Sequence, residues 1–239
     1  MIRFASISRE GSRPENEDSV GAVKDGNGYC FALADGLGGH GCGEVASALA
    51  VQTAKEEFAR GESDFLERVF VKAQENILTE QSENRRHADM KTTLVVLTVG
   101  EESIRWGHIG DSRLYHFKNG RILERTLDHS VPQMLVSIGE IKEKQIRHHP
   151  DRNRLLRVLG AETEDLRYQL SEGEPRTGGQ AFLLCSDGFW ELIVEKKMES
   201  TLKKADSPQE WLAAMEQIVL KNGRGTDMDN YSAVAVWVD

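Results

Sequence analysis

The sequence of 239 residues lacks any apolar run long enough to cross a membrane, and it contains only three cysteines. Its longest apolar stretches, such as Leu94–Val99 and Ala233–Val238, have the length of a β-strand, whereas a membrane-spanning helix needs about 20 apolar residues. No basic segment followed by an apolar one opens the chain, so we expect no secretory signal. The cysteines are odd in number and have no metal-ligand spacing, which indicates reduced thiols in a cytoplasmic protein.

Positive charge is also scarce. The chain has 30 Lys and Arg residues against 39 Asp and Glu residues, a formal net charge of -9 at pH 7. This balance argues against a nucleic-acid partner. It fits a protein that gathers divalent cations, and it equally fits many other acidic proteins. Low-complexity linkers and internal repeats are absent from the sequence, and we expect one domain over residues 1–239 and a monomer.

Strand patterns cluster along the chain instead of alternating with helices. They cover Met1–Ser8, Ser19–Val23, Tyr29–Ala34, Thr92–Val99, Ile104–Ile109, Arg113–Phe117, Leu166–Leu170, Ala181–Cys185 and Tyr231–Val238. Helical periodicity predicts one helix over Gly41–Arg60, a second one capped by Ser63, and a long helix that begins after Ser207. This order favours an α+β layered domain over a doubly wound parallel sheet.

The segment Gly36–Gly41 matches the pattern G-x-G-x-x-G, follows a strand and precedes a helix, which is typical of dinucleotide-binding proteins. That fold requires a second parallel strand after the helix, ending in an acidic residue. Here another helix follows, and the acids at the right distance, Glu56 and Glu57, lie inside the first helix. A dinucleotide-binding oxidoreductase therefore remains an alternative with little support.

Acidic residues recur where strands end. Two apolar strands run directly into Asp-Gly, at Asp35-Gly36 and at Asp187-Gly188. Either pair alone would indicate no more than a turn. Three further aspartates, Asp18, Asp111 and Asp229, also lie at strand ends or turns.

If these strand ends share one rim of the fold, their carboxylates form an oxygen-rich pocket that needs cations to neutralise it. Such a pocket suits Mg²⁺ or Mn²⁺, and two of these ions can activate water and hold a phosphoryl group. The sequence has no zinc spacing, no P-loop, no Gly-x-Ser-x-Gly motif and no cysteine-nucleophile motif. Water activated by a metal ion is the best supported remaining chemistry.

Short motifs then follow one another over nearly the whole chain. They are Arg13-x-x-Asn16-Glu17-Asp18, Asp35-Gly36-Leu37-Gly38-Gly39-His40, Gly43-Glu44-x-Ala46-Ser47, Thr92-Thr93-Leu94, Gly110-Asp111-Ser112-Arg113, Asp128-His129-Ser130, His149-Pro150-x-Arg152-Asn153, Arg157-Val158-Leu159-Gly160, Ser186-Asp187-Gly188 and Asp229-Asn230. Each motif is weak alone. As an ordered set they resemble the bacterial metal-dependent Ser/Thr protein phosphatases of the phosphatase 2C type (the PPM family).

The resemblance implies a four-layer α/β/β/α sandwich, in which two packed antiparallel sheets are flanked by helices. It also implies removal of phosphate from phosphoserine and phosphothreonine residues of proteins by a metal-bridging hydroxide at a dinuclear Mn²⁺ or Mg²⁺ centre. The expected partners are phosphorylated proteins, and the enzyme would oppose a bacterial Ser/Thr kinase. A catalytically silent relative that only binds a partner is the alternative, but such proteins typically lose metal aspartates and this chain keeps them.

Roles for individual residues also follow from the resemblance. Asp35 would bridge both metal ions, and the Gly36 carbonyl would bind one of them. Asp187 and Asp229 would complete the other ion's coordination with water, and Asp18 would hold metal-bound waters. The reaction would depend above all on Asp35 and Asp187.

Further roles concern a third ion and the substrate. Asp111, together with Asp187, would serve a weaker third metal site. Arg13 would bind the substrate phosphate, whose oxygens fit its planar fork. Residues 132–160 would form a flap beside the site, and the arginines and histidines within them indicate either a solvated face or a docking surface for a phosphorylated partner.

This sequence departs from the family pattern at several positions. Leu37 stands where many eukaryotic members have a histidine that is proposed as general acid, and Lys91 stands where a glycine usually precedes the two threonines. His108-Ile109 replaces the commoner Asn-Val. The proton for the leaving group would therefore come from a metal-bound water, from His40 or from another group. We expect His40 to support the glycine loop structurally and not to donate this proton.

Overall fold

The computed structural model describes residues 1–26, 28–37, 42–62 and 64–239. The described strands are β1 (Ile2–Arg9), β2 (Asp18–Asp25), β3 (Gly28–Leu37), β4 (Lys91–Thr92), β5 (Leu94–Val99), β6 (Ser103–Ile109), β7 (Arg113–Lys118), β8 (Arg121–Arg125), β9 (Gln169–Leu170), β10 (Glu174–Pro175), β11 (Gln180–Cys185) and β12 (Tyr231–Val238). The described α-helices are α1 (Gly43–Ala59), α2 (Phe65–Glu83), α3 (Val131–Ser137), α4 (Asp187–Trp190), α5 (Glu195–Leu202) and α6 (Pro208–Gly223). Two 3₁₀ turns cover Arg85–His87 and Glu143–His148.

The strands form two antiparallel sheets. The first sheet has the order β1-β12-β11-β7-β8. The second has the order β10-β6-β5-β3-β2, with the two-residue strands β4 and β9 paired to β3 and β6. In the first sheet, β1 pairs with β12 along its whole length, from Ile2 opposite Val238 to Arg9 opposite Tyr231.

Alternation of side chains along the central strands builds three layers of apolar core. On β3, the small residues Cys30, Ala32 and Ala34 face α1 and α2, whereas Phe31 and Leu33 point into the space between the sheets. The strands of the first sheet follow the same rule, with Ala233 and Ala235 of β12 towards the helices and its valines towards the second sheet. Both faces of each sheet are therefore buried, and the sheets pack against each other face to face.

Helices cover the two outer faces. α1 and α2 pack on the second sheet through a common apolar cluster, and α4, α5 and α6 pack on the first through another. α6 begins as its sequence predicts, because the Ser207 hydroxyl accepts a hydrogen bond from the Glu210 N–H. The Glu210 carboxylate in turn accepts from the Asp206 N–H, one residue earlier than a standard capping box. The result is the predicted α/β/β/α sandwich with antiparallel sheets.

Most predicted elements are confirmed. The strand expected over Leu166–Leu170 is wrong for its first three residues, because only Gln169 and Leu170 pair with β6. The strand expected over Thr92–Val99 is divided at Thr93 into β4 and β5. The elements that were not predicted individually are β8, β10, α3, α4 and α5. The Ser63 cap and the glycines after Leu37 lie outside the described residues. No helix among the described residues has the length and apolarity to span a bilayer.

Candidate functional site

The ends of several strands meet at one rim of the sandwich and form an acidic cleft there. Asp18 begins β2 and lies directly opposite Asp35 near the end of β3. Asp187 follows β11 and opens α4, while Asp229 lies two residues before β12. A cleft of about 670 Å³ is lined by Asp35, Asp111, Asp187 and Asp229, together with Arg13, Pro14, Glu15, Glu17, Gly36, Leu37, Asn153, Leu155 and Asn230. The two sheets thus contribute opposite walls of one site.

The backbone of Asp35 is fixed by the two threonines of the next strand. Its N–H donates to the Thr93 hydroxyl at 2.9 Å, and its carbonyl accepts from the Thr93 N–H and the Thr92 hydroxyl, both at 2.9 Å. Thr92 and Thr93 are fully buried. These bonds hold the Asp35 backbone rigidly at the rim, although Lys91 replaces the glycine expected before the threonines.

Gly36 allows a close approach between β3 and the start of α1. A Cβ atom at this position would overlap the carbonyl group of Gly43 and lie 2.7 Å from the carbonyl oxygen of Glu17. The Gly36 N–H donates to that Glu17 carbonyl at 3.1 Å, and the Ser47 hydroxyl donates to it at 2.6 Å. Residue 36 therefore has to be glycine so that the segments around the cleft can pack together.

Asp18 lies behind the cleft in a hydroxyl-rich environment. The Ser186 hydroxyl donates to its Oδ2 at 2.7 Å, whereas its Oδ1 is buried without a hydrogen-bond partner. Burial raises the pKa of Asp18 to about 7, against the opposing effect of hydrogen bonds from Ser186 and Ser232. A buried carboxylate oxygen with no partner is a group that a bound cation or a water on a cation would satisfy.

Asp187 is placed by tight packing between α4 and β12. A Cβ atom on the following residue, Gly188, would overlap the carbonyl oxygen of Asn230. The Asn230 side chain also organises the neighbouring loop, because its Nδ2 donates to the carbonyls of Glu10 and Glu15 and its Oδ1 accepts from the Glu17 N–H. Asn230 therefore links the strand after Asp229 to the segment that carries Arg13.

Arg13 lies at the mouth of the cleft. Its Nε and one terminal nitrogen bind both carboxylate oxygens of Asp229, at 3.1 Å and 3.2 Å. The side chains of Arg13 and Asp229 are both 44% exposed, so the guanidinium faces solvent as well as the cleft. Arg13 also lines a neighbouring cleft of about 460 Å³, together with Arg147, His148, Arg152, Asn153, Asp187, Gly188, Glu191, Leu192, Thr226, Asp227, Met228 and Asp229.

Asp111 lies in the turn between β6 and β7, which passes from the second sheet to the first. The Trp190 Nε1–H donates to its carbonyl at 3.0 Å, and the next residue, Ser112, shares a hydrogen bond with Thr93 through their hydroxyls at 2.7 Å. Only 5% of Asp111 is exposed. The turn thus holds a nearly buried carboxylate at the wall of the cleft.

Burial and mutual repulsion disfavour the charged form of the carboxylates in and behind the cleft. Burial raises the pKa of Asp35 well above its ordinary value, and the charges of Asp18, Asp187, Asp111 and Asp229 raise it further. Burial also raises the pKa values of Asp111 and Asp187, and the nearest like charges, Asp187 and Asp229 respectively, add to these shifts. Acids that repel one another at this burial are suited to a divalent cation, which removes the repulsion.

The donor chemistry fits Mg²⁺ or Mn²⁺, since carboxylates and a backbone carbonyl supply only oxygen ligands. Within the described parts of the chain, no set of three or more His, Cys, Asp or Glu side chains is arranged to hold a metal ion by itself. Magnesium-type ions ordinarily bind through one or two carboxylates and retain several waters, so such a set is not required. A hydrated ion at this cleft is therefore compatible with the residues present.

The other sequence candidates have varied positions. Leu37 lines the cleft, and His40 lies outside the described residues. The expected basic patch is largely paired with acids: Arg147 donates to Glu195 and to the Trp190 carbonyl, Arg152 contacts Glu191, and Arg154 contacts Asp151. Those contacts favour a solvated, charge-paired face. Cys30 and Cys185 are buried, whereas Cys42 is partly exposed.

Sequence reasoning missed several residues that shape the site. Trp190 ends α4 and Glu191 follows it, and the sequence offered only the apolar character of the tryptophan as a signal. Burial raises the pKa of Glu191 to about 7, with a further contribution from Asp187 and an opposing one from Arg152. Such contacts join segments that are distant in sequence, which no local pattern reveals.

Comparisons with known proteins agree with this geometry. The family model for protein phosphatase 2C matches residues 7–230. The serine/threonine phosphatase stp of Listeria monocytogenes serotype 4b (strain F2365) is 31% identical over 206 residues, covering 80% of this chain and 79% of that protein. The structure of Stp1 from Staphylococcus aureus has a TM-score of 0.90 at 26% identity, covering 100% of this chain and 96% of that one. The catalytic domain of PstP in complex with 2 manganese ions has a TM-score of 0.83 at 27% identity, covering 100% and 99%.

Proposed function

The chain belongs to the protein phosphatase 2C family and is a serine/threonine protein phosphatase of the bacterial type, and from that premise we propose that its acidic cleft is the active site. The substrates are phosphoserine and phosphothreonine residues of proteins. The observation that carries the proposal is the convergence of Asp35, Asp187 and Asp229, from both sheets, at one cleft with Arg13 at its mouth and Asp18 behind it.

Asp35 and the Gly36 carbonyl, from the second sheet, and Asp187 and Asp229, from the first, would hold two Mn²⁺ or Mg²⁺ ions in this proposal, with a third, weaker site beside them. Such ions would supply a water nucleophile that is active at neutral pH and would neutralise the charge of the phosphoryl oxygens. The structure of PstP with 2 manganese ions supports both the metal type and the number.

The remaining polar groups of the cleft prepare these ligands. Asp18, with its unpartnered buried Oδ1, orients the waters that complete the coordination, while Ser186 fixes its other oxygen. Asp111 and Asp187 serve the third ion. The threonine bonds to the Asp35 backbone keep that ligand from moving during turnover, so little reorganisation is needed when substrate arrives.

Arg13 binds the phosphate of the substrate through its planar guanidinium. It already engages both oxygens of a carboxylate, Asp229, which is the same fork geometry that a phosphate monoester requires. Because almost half of the side chain is exposed, an incoming phosphate can reach it from solvent. Binding there directs the phosphorus atom towards the acidic residues behind it.

The finer features of the function follow from the same proposal. Residues 132–160, which contain α3 and a 3₁₀ turn, form a flap whose Asn153 and Leu155 line the cleft. Residues 1–239 act as a single catalytic domain and as a monomer. The enzyme opposes a bacterial Ser/Thr kinase. It acts in the cytoplasm, and this location is supported by the two buried cysteines, which form no disulfide.

A metal-dependent phosphatase assay tests this function. Purified protein is assayed with phosphoserine, phosphothreonine and phosphotyrosine peptides and with an aryl phosphate, in Mn²⁺, in Mg²⁺ and in EDTA. We expect hydrolysis of the phosphoserine and phosphothreonine peptides that EDTA abolishes and that added Mn²⁺ restores. Hydrolysis that continues in EDTA would overturn the metal mechanism, and metal binding without hydrolysis of any substrate would instead support a catalytically silent binding protein.

A further inference from the structure

The turn that carries Asp111 depends on an unusual glycine. Gly110 has a φ of +101°, which side chains other than hydrogen rarely tolerate, and a Cβ atom there would lie 2.5 Å from Thr93 Cγ2. A glycine permits this conformation but does not enforce it, because glycine has the largest backbone freedom of any residue. Contacts from outside the turn must therefore fix its direction.

One residue, His129, holds both backbone polar groups of Gly110. The Gly110 N–H donates to His129 Nδ1 at 3.2 Å, and the His129 N–H donates to the Gly110 carbonyl at 2.9 Å. Since Nδ1 accepts a hydrogen bond, the neutral ring carries its proton on Nε2. The direction in which the chain enters Asp111 is thus set by the imidazole and the backbone of a single residue.

The His129 ring is itself held in place. It stacks on His108 with ring centroids 4.7 Å apart and an interplanar angle of 8°. His108 is anchored in turn, because its Nε2 lies 2.8 Å from the Leu127 carbonyl. Only 7% of His129 and 3% of His108 are exposed. Burial, with His108 and Arg157, lowers the pKa of His129 to about 3, so the ring is a neutral acceptor at neutral pH.

The other contacts of the turn do not act on Gly110, so fixing the direction of its backbone depends on His129. Trp190 binds the carbonyl of Asp111, and Asp128 binds the side chain of Arg113, but both act at or after Asp111. His129 acts on the residue before it. Asp128 and His129 are adjacent, so one short segment binds the turn at both of its ends, Gly110 and Arg113.

We propose that His129 is a positioning residue that fixes the Asp111 carboxylate for the third, weaker metal site by bonding Gly110 through Nδ1. This inference rests on the ligand role of Asp111 in the proposed function. Removing a residue that orients a metal ligand typically weakens metal binding about 10- to 100-fold. We expect the loss of affinity to be confined to the third site, because Asp35 and Gly36, which would hold the tighter ions, are held by other contacts.

Manganese binding, measured without substrate, tests the inference. Free Mn²⁺ is followed by electron paramagnetic resonance during titration of the full chain and of four variants. Asp111→Asn identifies the event that depends on Asp111. His129→Phe keeps a flat ring on His108 but has no acceptor, whereas His129→Asn places an amide oxygen near the Nδ1 position. His116→Phe is the matched control, since it replaces another buried, stacked histidine that bonds Gln180 instead of Gly110.

We expect His129→Phe to weaken the Asp111-dependent event about tenfold or more and to leave the tighter events unchanged. His129→Asn should restore most of the affinity, and His116→Phe should behave like the unaltered protein. If His129→Phe leaves the Asp111-dependent event unchanged, or weakens all events equally, the positioning role is overturned and the ligand set stands. If Asp111→Asn itself changes no event, the ligand role of Asp111 fails too.

A second measurement needs no substitution and covers the case in which His129→Phe does not fold. In ¹⁵N-labelled protein, a scalar coupling across the hydrogen bond should connect the Gly110 amide nitrogen with His129 Nδ1. The ring should show the neutral tautomer protonated at Nε2. A proton on Nδ1, or exchange of the Gly110 amide at the rate of an exposed backbone group, would overturn the proposal.

Discussion

Arg113 and Asp128 form a two-pronged ion pair in which both nitrogen–oxygen distances are 2.7 Å and the side chains are only 3% and 1% exposed. The guanidinium also lies 3.4 Å from the centroid of the Trp190 ring and donates to the Tyr115 hydroxyl. The pair joins the segment after β8 to the start of β7. It therefore ties the base of the flap to the strand that follows Asp111.

Replacing Asp128 with asparagine should destabilise the fold strongly. The substitution removes the two-pronged partner of the buried Arg113 charge and leaves only Glu195, 3.9 Å away, which costs about 3–5 kcal/mol. Urea unfolding in EDTA measures the difference. The matched control is Asp165→Asn, which breaks an exposed pair with Arg167 and should cost at most about 1 kcal/mol. If the two variants lose the same free energy of unfolding, the buried Arg113 pair is no more important for stability than an exposed pair.

Asp35→Asn and Asp187→Asn should each reduce turnover by several orders of magnitude, because each removes a ligand on which the nucleophile depends. Neither substitution should lower the free energy of unfolding in EDTA, since each removes one of several buried like charges. Activity on a phosphothreonine peptide and urea unfolding are measured in parallel. A variant that keeps near-normal turnover in excess Mn²⁺ would remove its residue from the ligand set.

Arg13→Ala should raise KM for phosphopeptides by roughly 10- to 100-fold, because it removes charge-assisted hydrogen bonds to phosphate that exist in the ground state. Arg13→Lys should recover only part of the loss, since an ammonium group lacks the planar fork. Steady-state kinetics on one peptide series provide both constants. Arg9→Ala, which removes an exposed arginine bound to Glu216, is the control and should leave KM unchanged. An unaltered KM in Arg13→Ala would exclude Arg13 from phosphate binding.

The contribution of His116 to the stability of the fold should fall as the pH is lowered below about 6.5, the ordinary pKa of histidine. Burial lowers the pKa of His116, whose ring is fully buried and stacks on Phe182 with centroids 4.5 Å apart. The unfolded chain then binds the proton more readily, so His116 contributes stability above that pH and loses it below. One such group changes the unfolding free energy by at most about 1.4 kcal/mol per pH unit.

Urea unfolding between pH 5 and pH 7, in EDTA, measures this dependence. His116→Gln should make the slope of the unfolding free energy against pH less positive than in the unaltered protein, whereas His148→Gln, at an exposed position, should not change it. His108 and His129, whose pKa values are also lowered by burial, add slope of the same sign, and Asp18 and Glu191, whose pKa values are raised, add slope of the opposite sign. If His116→Gln leaves the slope unchanged, His116 does not titrate on unfolding in this range.

The sequence predicted the elements whose signals are local. The β2–β3 hairpin, the apolar row of α2 and the Ser207 cap all follow from residues within a few positions of one another. The aspartates at strand ends were equally readable, and the rim that they share follows once the strands form two antiparallel sheets. What the sequence leaves undetermined is which strand lies beside which.

Other features had no readable signal because they depend on partners far along the chain. α4 is a single turn, too short for a helical period, and it begins where Ser186 meets Asp18 across 168 positions. The Arg113–Asp128 pair was not predicted, because the sequence showed the two residues only as members of separate short motifs. The expected strand over Leu166–Leu170 failed in its first part because its local apolar pattern is real but serves packing: Leu166 and Tyr168 pack against the α1–α2 cluster, and strand pairing begins only at Gln169.

The cleft draws Asp35 from one sheet and Asp187 and Asp229 from the other, so its proposed ligands belong to distant parts of the chain. The sheets have to dock before the two halves of the site can meet. Contacts between such distant positions form slowly, so we expect the site to form late in folding. An ion bound at the proposed site would contact both sheets, and its removal would then lower the resistance of the sheets to separation as well as the activity.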